Sequence, residues 1–265
     1  MILLKRELRA NRRSLVIWSV ALGLFGFLMV SIYPSFAEGM EGFREGLSAY
    51  PEQFLAMFGL DRLDLGDPIG FYAIESYLIV ILFGSIYAMI LASTALSKEE
   101  DEKTAEFLLA KPISRSRVVG EKIASVLLLI LMLNVFIGIV GLVGFEIFID
   151  SYPIADLARL TVGAFLAHIA FAGIGFLVSL FVTRRRSAYS TGIGVVLALY
   201  FASLIATLSD RFEVLRYASP FWYMDGADIV TDGGLVPARV AAVVGVAVVA
   251  SVLTWFLYSR RDIRL

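Results

Sequence analysis

The chain has 265 residues, of which 59% are hydrophobic and 18% charged, with a mean hydropathy of +0.82. A soluble domain is about 45–50% apolar, so this composition excludes an ordinary soluble fold and points to the bilayer as solvent. The net charge of −1 implies no nucleic-acid partner, and the absence of cysteine excludes disulfides, thiolate zinc sites and a cysteine nucleophile.

Residues 1–13 carry Lys5, Arg6, Arg9, Arg12 and Arg13, with Leu4 and Leu8 four apart. This pattern predicts a cytoplasmic interfacial helix lying along the inner leaflet. The apolar run Ser14–Tyr33 follows, without a small-residue cleavage site after it. It reads as a retained span rather than a signal peptide. Residues 34–75 form an acidic loop in which Phe54, Leu55, Met57 and Phe58 follow Pro51, a short interfacial helix by pattern. Further apolar stretches run over Ser76–Leu96, Ile123–Phe148, Leu160–Val182 and Ala188–Leu208. Residues 209–239 form a second large loop, where Phe221, Trp222 and Tyr223 after Pro220 are expected at headgroup depth. Val240–Tyr258 is the last apolar stretch.

A helix needs about 20 mostly apolar residues to cross the hydrocarbon, whereas barrel strands alternate over about 10. The expected fold is therefore an all-α membrane protein with six transmembrane helices in one domain over residues 1–265. With the N-terminus in the cytoplasm, 17 of the 23 Lys and Arg fall on the inner side and 6 on the outer. Basic residues collect inside, so both termini are expected to be cytoplasmic. The outer segments are acidic. That is what solubility and easy translocation favour, and it is also how a cation-attracting vestibule would be built.

The stretch SKEEDEKTAEFLLAKPISRSR, residues 97–117, lies on the inner side between spans two and three. Ser97 could cap a helix, and Glu99 to Glu102 complement its positive end. Pro112 stops it. Ala105, Leu108, Leu109 and Pro112 share one face, bordered by Phe107. Four consecutive acids disfavour docking on an anionic leaflet. Two other sinks for the apolar face remain open: its own bundle, or the groove of a partner protein.

The residues Glu102-Lys103-Thr104-Ala105-Glu106-Phe107-Leu108-Leu109-Ala110-Lys111-Pro112-Ile113-Ser114-Arg115 resemble a signature of the permease subunits of type-2 (exporter-class) ABC transporters. That signature is acidic-x-Gly-Thr-x-Glu-x-Leu-Leu followed by Pro-x-Ser/Thr-Arg, and Lys103 departs from it at the glycine. Lys5-Arg6-Glu7-Leu8 is similar to the family's basic N-terminal helix. The resemblance implies that 97–117 is a coupling helix seated in a separate ATPase subunit. Glu102, Thr104, Glu106, Phe107, Leu108, Leu109 and Pro112 would make the contact, and Arg115 would brace it. It further implies two ATPase copies, a second permease protomer meeting this one through spans two and five, and a plasma-membrane location. Short re-entrant helices are implied in the last loop. ATP and Mg would be bound by the ATPase, with no cofactor in this chain.

The sequence has no G-x-x-x-x-G-K-[ST] loop, and Gly120-Glu121-Lys122 lacks the upstream glycine and the hydroxyl residue. The chain is therefore read as a non-enzyme. An intramembrane enzyme would need paired catalytic groups at depth, which the spans lack. A sensor or scaffold on the same fold is the other alternative. Four polar residues in or at the ends of the spans are candidates for a translocation path: Asn134, His168, Glu75 and Glu146. Their plainer roles are interhelical hydrogen bonding for the first two and snorkelling for the two glutamates. One histidine cannot make a two-histidine metal site. The apolar spans suit an amphipathic cargo (a lipid, a peptide or a drug) better than an ion.

Overall fold

A computed structural model describes residues 2–47, 49–101, 114–182, 184–208 and 210–260. Among the described residues every regular element is helical, and six helices are long and apolar enough to cross a membrane. They are Leu3–Glu38, Pro68–Leu96, Arg115–Phe148, Ile154–Phe181, Arg185–Leu208 and Pro237–Arg260, called spans one to six.

Several spans are longer than their apolar cores. Span one belongs to a single helix, Ile2–Glu38, of 37 residues. At 1.5 Å per residue it is about 55 Å long, well over a hydrocarbon core of about 30 Å. Residues 2–13 are thus the first turns of span one's own helix and not a separate interfacial element. Their apolar side faces protein: Leu3 is buried, and Leu8 packs on the core.

Span two begins eight residues before its expected start at Ser76. Asp67 caps it by accepting from the Gly70 N–H at 2.8 Å, and Pro68 fills the first helical position, where the missing N–H costs nothing. A π-helical turn, Tyr72–Tyr77, follows, and the helix then continues over Leu78–Asp101. Span three starts at Arg115, capped by Ser114, and span four at Ile154 after Pro153.

Span four is the hub. It packs on spans two and six, while span one packs on span three and span five on span two. In span four 67% of the most apolar window is buried, against 11% in span five, which therefore lies at the edge of the bundle. Close approach is bought by small residues. A Cβ on Gly175 would stand 2.8 Å from the Ala92 Cβ of span two, and one on Gly173 would stand 2.9 Å from the Ala247 Cα of span six. Glycine lets the backbones meet, which is how helices associate when lipid gives no hydrophobic drive.

Candidate functional site

The expected coupling residues Glu102, Thr104, Glu106, Phe107, Leu108, Leu109 and Pro112 lie outside the described residues. The two flanks of that segment are described. Residues 97–101 continue the helix of span two, so Ser97 is not a cap. On the far side Arg115 opens span three.

The start of span three is gripped by three neighbours. Lys122 is buried, and its Nζ donates to the Ala95 carbonyl in the last turns of span two. The same Nζ lies 3.8 Å from the buried Glu7 carboxylate of span one. Glu121 accepts from the Leu4 N–H at 3.1 Å, one of the first N–H groups of span one's helix, and pairs with Arg117 at 3.1 Å. Such N–H groups lack a helical partner, so a carboxylate there satisfies both hydrogen bond and dipole. From span six, the Trp255 indole N–H donates to the Ser116 carbonyl at 3.2 Å. Spans one, two and six therefore meet the first turns of span three.

At mid-depth, Asn134 and His168 are joined. The Asn134 amide nitrogen is 3.0 Å from His168 Nδ1 and 2.8 Å from the Ile130 carbonyl. His168 Nε2 is 3.2 Å from the Val80 carbonyl. An amide N–H donating to Nδ1 assigns the proton to Nε2, which donates to Val80. Both residues are buried and both ring nitrogens are engaged. This network ties spans two, three and four together, as expected of interhelical glue.

The two glutamates do not join that pair. Glu146 is exposed and accepts from the Tyr152 hydroxyl at 2.7 Å. Partial burial and the Glu146 charge push the Tyr152 hydroxyl up to about 12. Glu75 does not sit at the end of span two. It lies within the π-helical turn, exposed, while its neighbours Ile74 and Ser76 are buried.

A cleft of about 400 Å³ opens among the halves of spans two and five nearest the two large loops, residues 34–75 and 209–239, and those loops themselves. Its apolar wall includes Ile74, Leu78, Ile81, Leu204 and Phe221. Phe221 is buried against Phe171 and Tyr200, with ring centroids 4.8 and 5.6 Å away, so its ring faces protein. The reason is its helix, Pro220–Tyr223, which folds inward over span four. The Tyr77 hydroxyl donates to the Met224 carbonyl at 2.7 Å and pins this loop to span two.

Charge lines the rim. Arg62 contacts Asp61 at 3.3 Å and Asp225 at 3.4 Å, and it also bonds Asp228. Arg239 pairs with Asp228 at 2.6 Å and Arg216 with Glu213 at 2.6 Å. Trp222 has both Arg216 and Arg239 at 5.0 Å from its ring centre. Burial pushes the Asp225 carboxyl above the ordinary aspartate range, the opposing pull of Arg62 notwithstanding, and the Asp228 charge adds to the rise. Burial works to lower Arg62, but the Asp225, Asp228 and Asp61 charges outweigh it and hold it above its usual value. Residues 166 apart meet here, and no local pattern in the sequence announces it.

Comparison with known proteins agrees with this architecture. The sequence model of the ABC-2 family transporter protein matches residues 1–263. The chain is also similar to the membrane protein YdbK of Bacillus subtilis (strain 168), with 26% identity over 192 residues, which is 67% of this chain and 76% of YdbK. Six apolar helices and a family match spanning nearly the whole chain make this a multi-pass membrane protein that belongs to the ABC-2 transporter family.

Proposed function

We propose that this chain is the permease subunit of an ATP-driven exporter, moving an amphipathic substrate with energy from a separate ATPase. Family membership implies an ATPase partner, and it is the observation that carries the reading. Two ATPase copies bind ATP and Mg, two permease protomers form the path, and this chain itself performs no covalent chemistry. The assembly sits in the cell membrane with both termini of the chain in the cytoplasm.

The coupling step is mechanical. ATP binding draws two ATPases together, and the segment from Glu102 to Pro112 moves with them. Helices leave and re-enter that segment directly, at Asp101 and Arg115. The contact between Lys122 and Ala95 ties those two helices together just inside the membrane, and Glu7 adds span one. A push at the segment thus tilts three spans as a unit. Of the four candidate path residues, Glu75 presents an open carboxylate, whereas Asn134 and His168 act as glue and Glu146 is tied to Tyr152.

Glu106→Lys and Leu108→Asp should each reduce substrate-stimulated ATP hydrolysis at least ten-fold in the reconstituted complex, with thermal stability of the permease unchanged. The reason is that both residues would face the ATPase rather than the bundle. Full stimulation in both variants would overturn the coupling scheme.

A further inference from the structure

We propose that the outer cleft binds an amphipath with a cationic head, an alkylamine or alkyl quaternary ammonium. This names a substrate class for the export reading and rests on that reading only for the direction of movement. The volume of about 400 Å³ falls in the range of small-molecule sites. Ile74, Leu78, Ile81 and Leu204 offer an alkyl chain an apolar wall, with Tyr200 and Phe221 as aromatic neighbours.

The sign of the head follows from the charges lining the cleft. Asp61, Glu213, Asp225 and Asp228 line it beside two arginines, Arg62 and Arg216, and Arg239 reaches Asp228 from outside the lining. Arg62 contacts three aspartates, and Arg216 pairs with Glu213. Asp225 gets the weak share: its contact with Arg62 is 3.4 Å, while Asp228 holds the same nitrogen more closely. Its side chain nevertheless remains 38% exposed within the cleft. A carboxylate with acceptor capacity left over, beside apolar walls that weaken screening, attracts a cation more strongly than the same group in open water. Aromatic rings add to the attraction.

The test uses the full chain in phosphatidylcholine nanodiscs, without the ATPase, titrated calorimetrically against empty nanodiscs. Three probes share one tail: octyltrimethylammonium, octyl sulfate and octanol. The expected result is saturable binding of octyltrimethylammonium alone. Asp225→Asn should weaken it at least ten-fold with no loss of thermal midpoint, since asparagine still caps the helix Gly226–Thr231. Leu204→Trp, which fills the wall and leaves the charges intact, should weaken it as well. Asp232→Asn, outside the cleft, should not. Equal uptake of the three probes, uptake no greater than by empty nanodiscs, or full affinity in both Asp225→Asn and Leu204→Trp would each overturn the proposal. Should Asp225→Asn not assemble, Glu213→Gln carries the same expectation. Because no ATPase is present, failure here leaves the coupling scheme standing, and loss of coupling with binding retained would strike only that scheme.

Discussion

Lys122→Ala is expected to destabilise the chain by about 3–5 kcal/mol, the scale for breaking a buried ion pair from one side. The side chain is 2% exposed and packs where spans one, two and three converge. Its loss opens a cavity, removes the donor to the Ala95 carbonyl and takes the Lys122 charge from the Glu7 carboxylate, which is buried at 7% exposure and also contacts the more exposed Arg6. Lys122→Met should recover the packing but not the charge balance. Lys122→Met combined with Glu7→Leu should recover most of the stability, because two apolar groups of similar volume need no counter-charge. Thermal unfolding of the four proteins in one detergent decides the matter. A Lys122→Ala protein as stable as the parent would show that the clamp contributes nothing.

Gly84→Ala should be nearly as damaging, and its sign is diagnostic. By helix propensity alone, alanine in place of glycine gains about 1 kcal/mol. Here the added Cβ would stand 2.3 Å from both Cε1 and Nε2 of His168. The ring cannot retreat without giving up its bonds to Val80 and Asn134. Overpacking costs about 1–3 kcal/mol, and each lost hydrogen bond about 1 kcal/mol more. A net loss of about 3 kcal/mol is expected, with partial rescue when His168→Ala makes room. A stabilised Gly84→Ala protein would remove His168 from its place against span two.

The six spans were legible because lipid-facing runs are long and apolar, whatever the tertiary packing. Their true starts were not. Hydrophobicity alone starts them at Ser76, Ile123 and Leu160, while the helices begin at Pro68, Arg115 and Ile154. Capping decides those ends, and the signal was present in Asp67-Pro68 and Ser114. The basic residues 1–13 suggest a separate interfacial helix, yet helix propagation is cooperative and nothing in the sequence interrupts it before span one. Asn134 and His168 stood out singly as polar groups at depth, but their pairing depends on the packing of span three against span four. The outer cleft was least visible. Arg62 and Asp228 are joined by the folding back of the last loop, and only the surplus of acid on the outer side hinted at it. Long-range contacts between polar loops carry no periodicity for a sequence to show.

The central claim is that the segment between spans two and three is seated in an ATPase. The most direct measurement places a photo-crosslinking residue at position 108 and irradiates membranes in which the permease and its ATPase are assembled. The account predicts a crosslinked product joining the two chains, with a yield that changes when ATP binds. A product formed only within the permease or with lipid, while the ATPase is bound and hydrolysing, would contradict it.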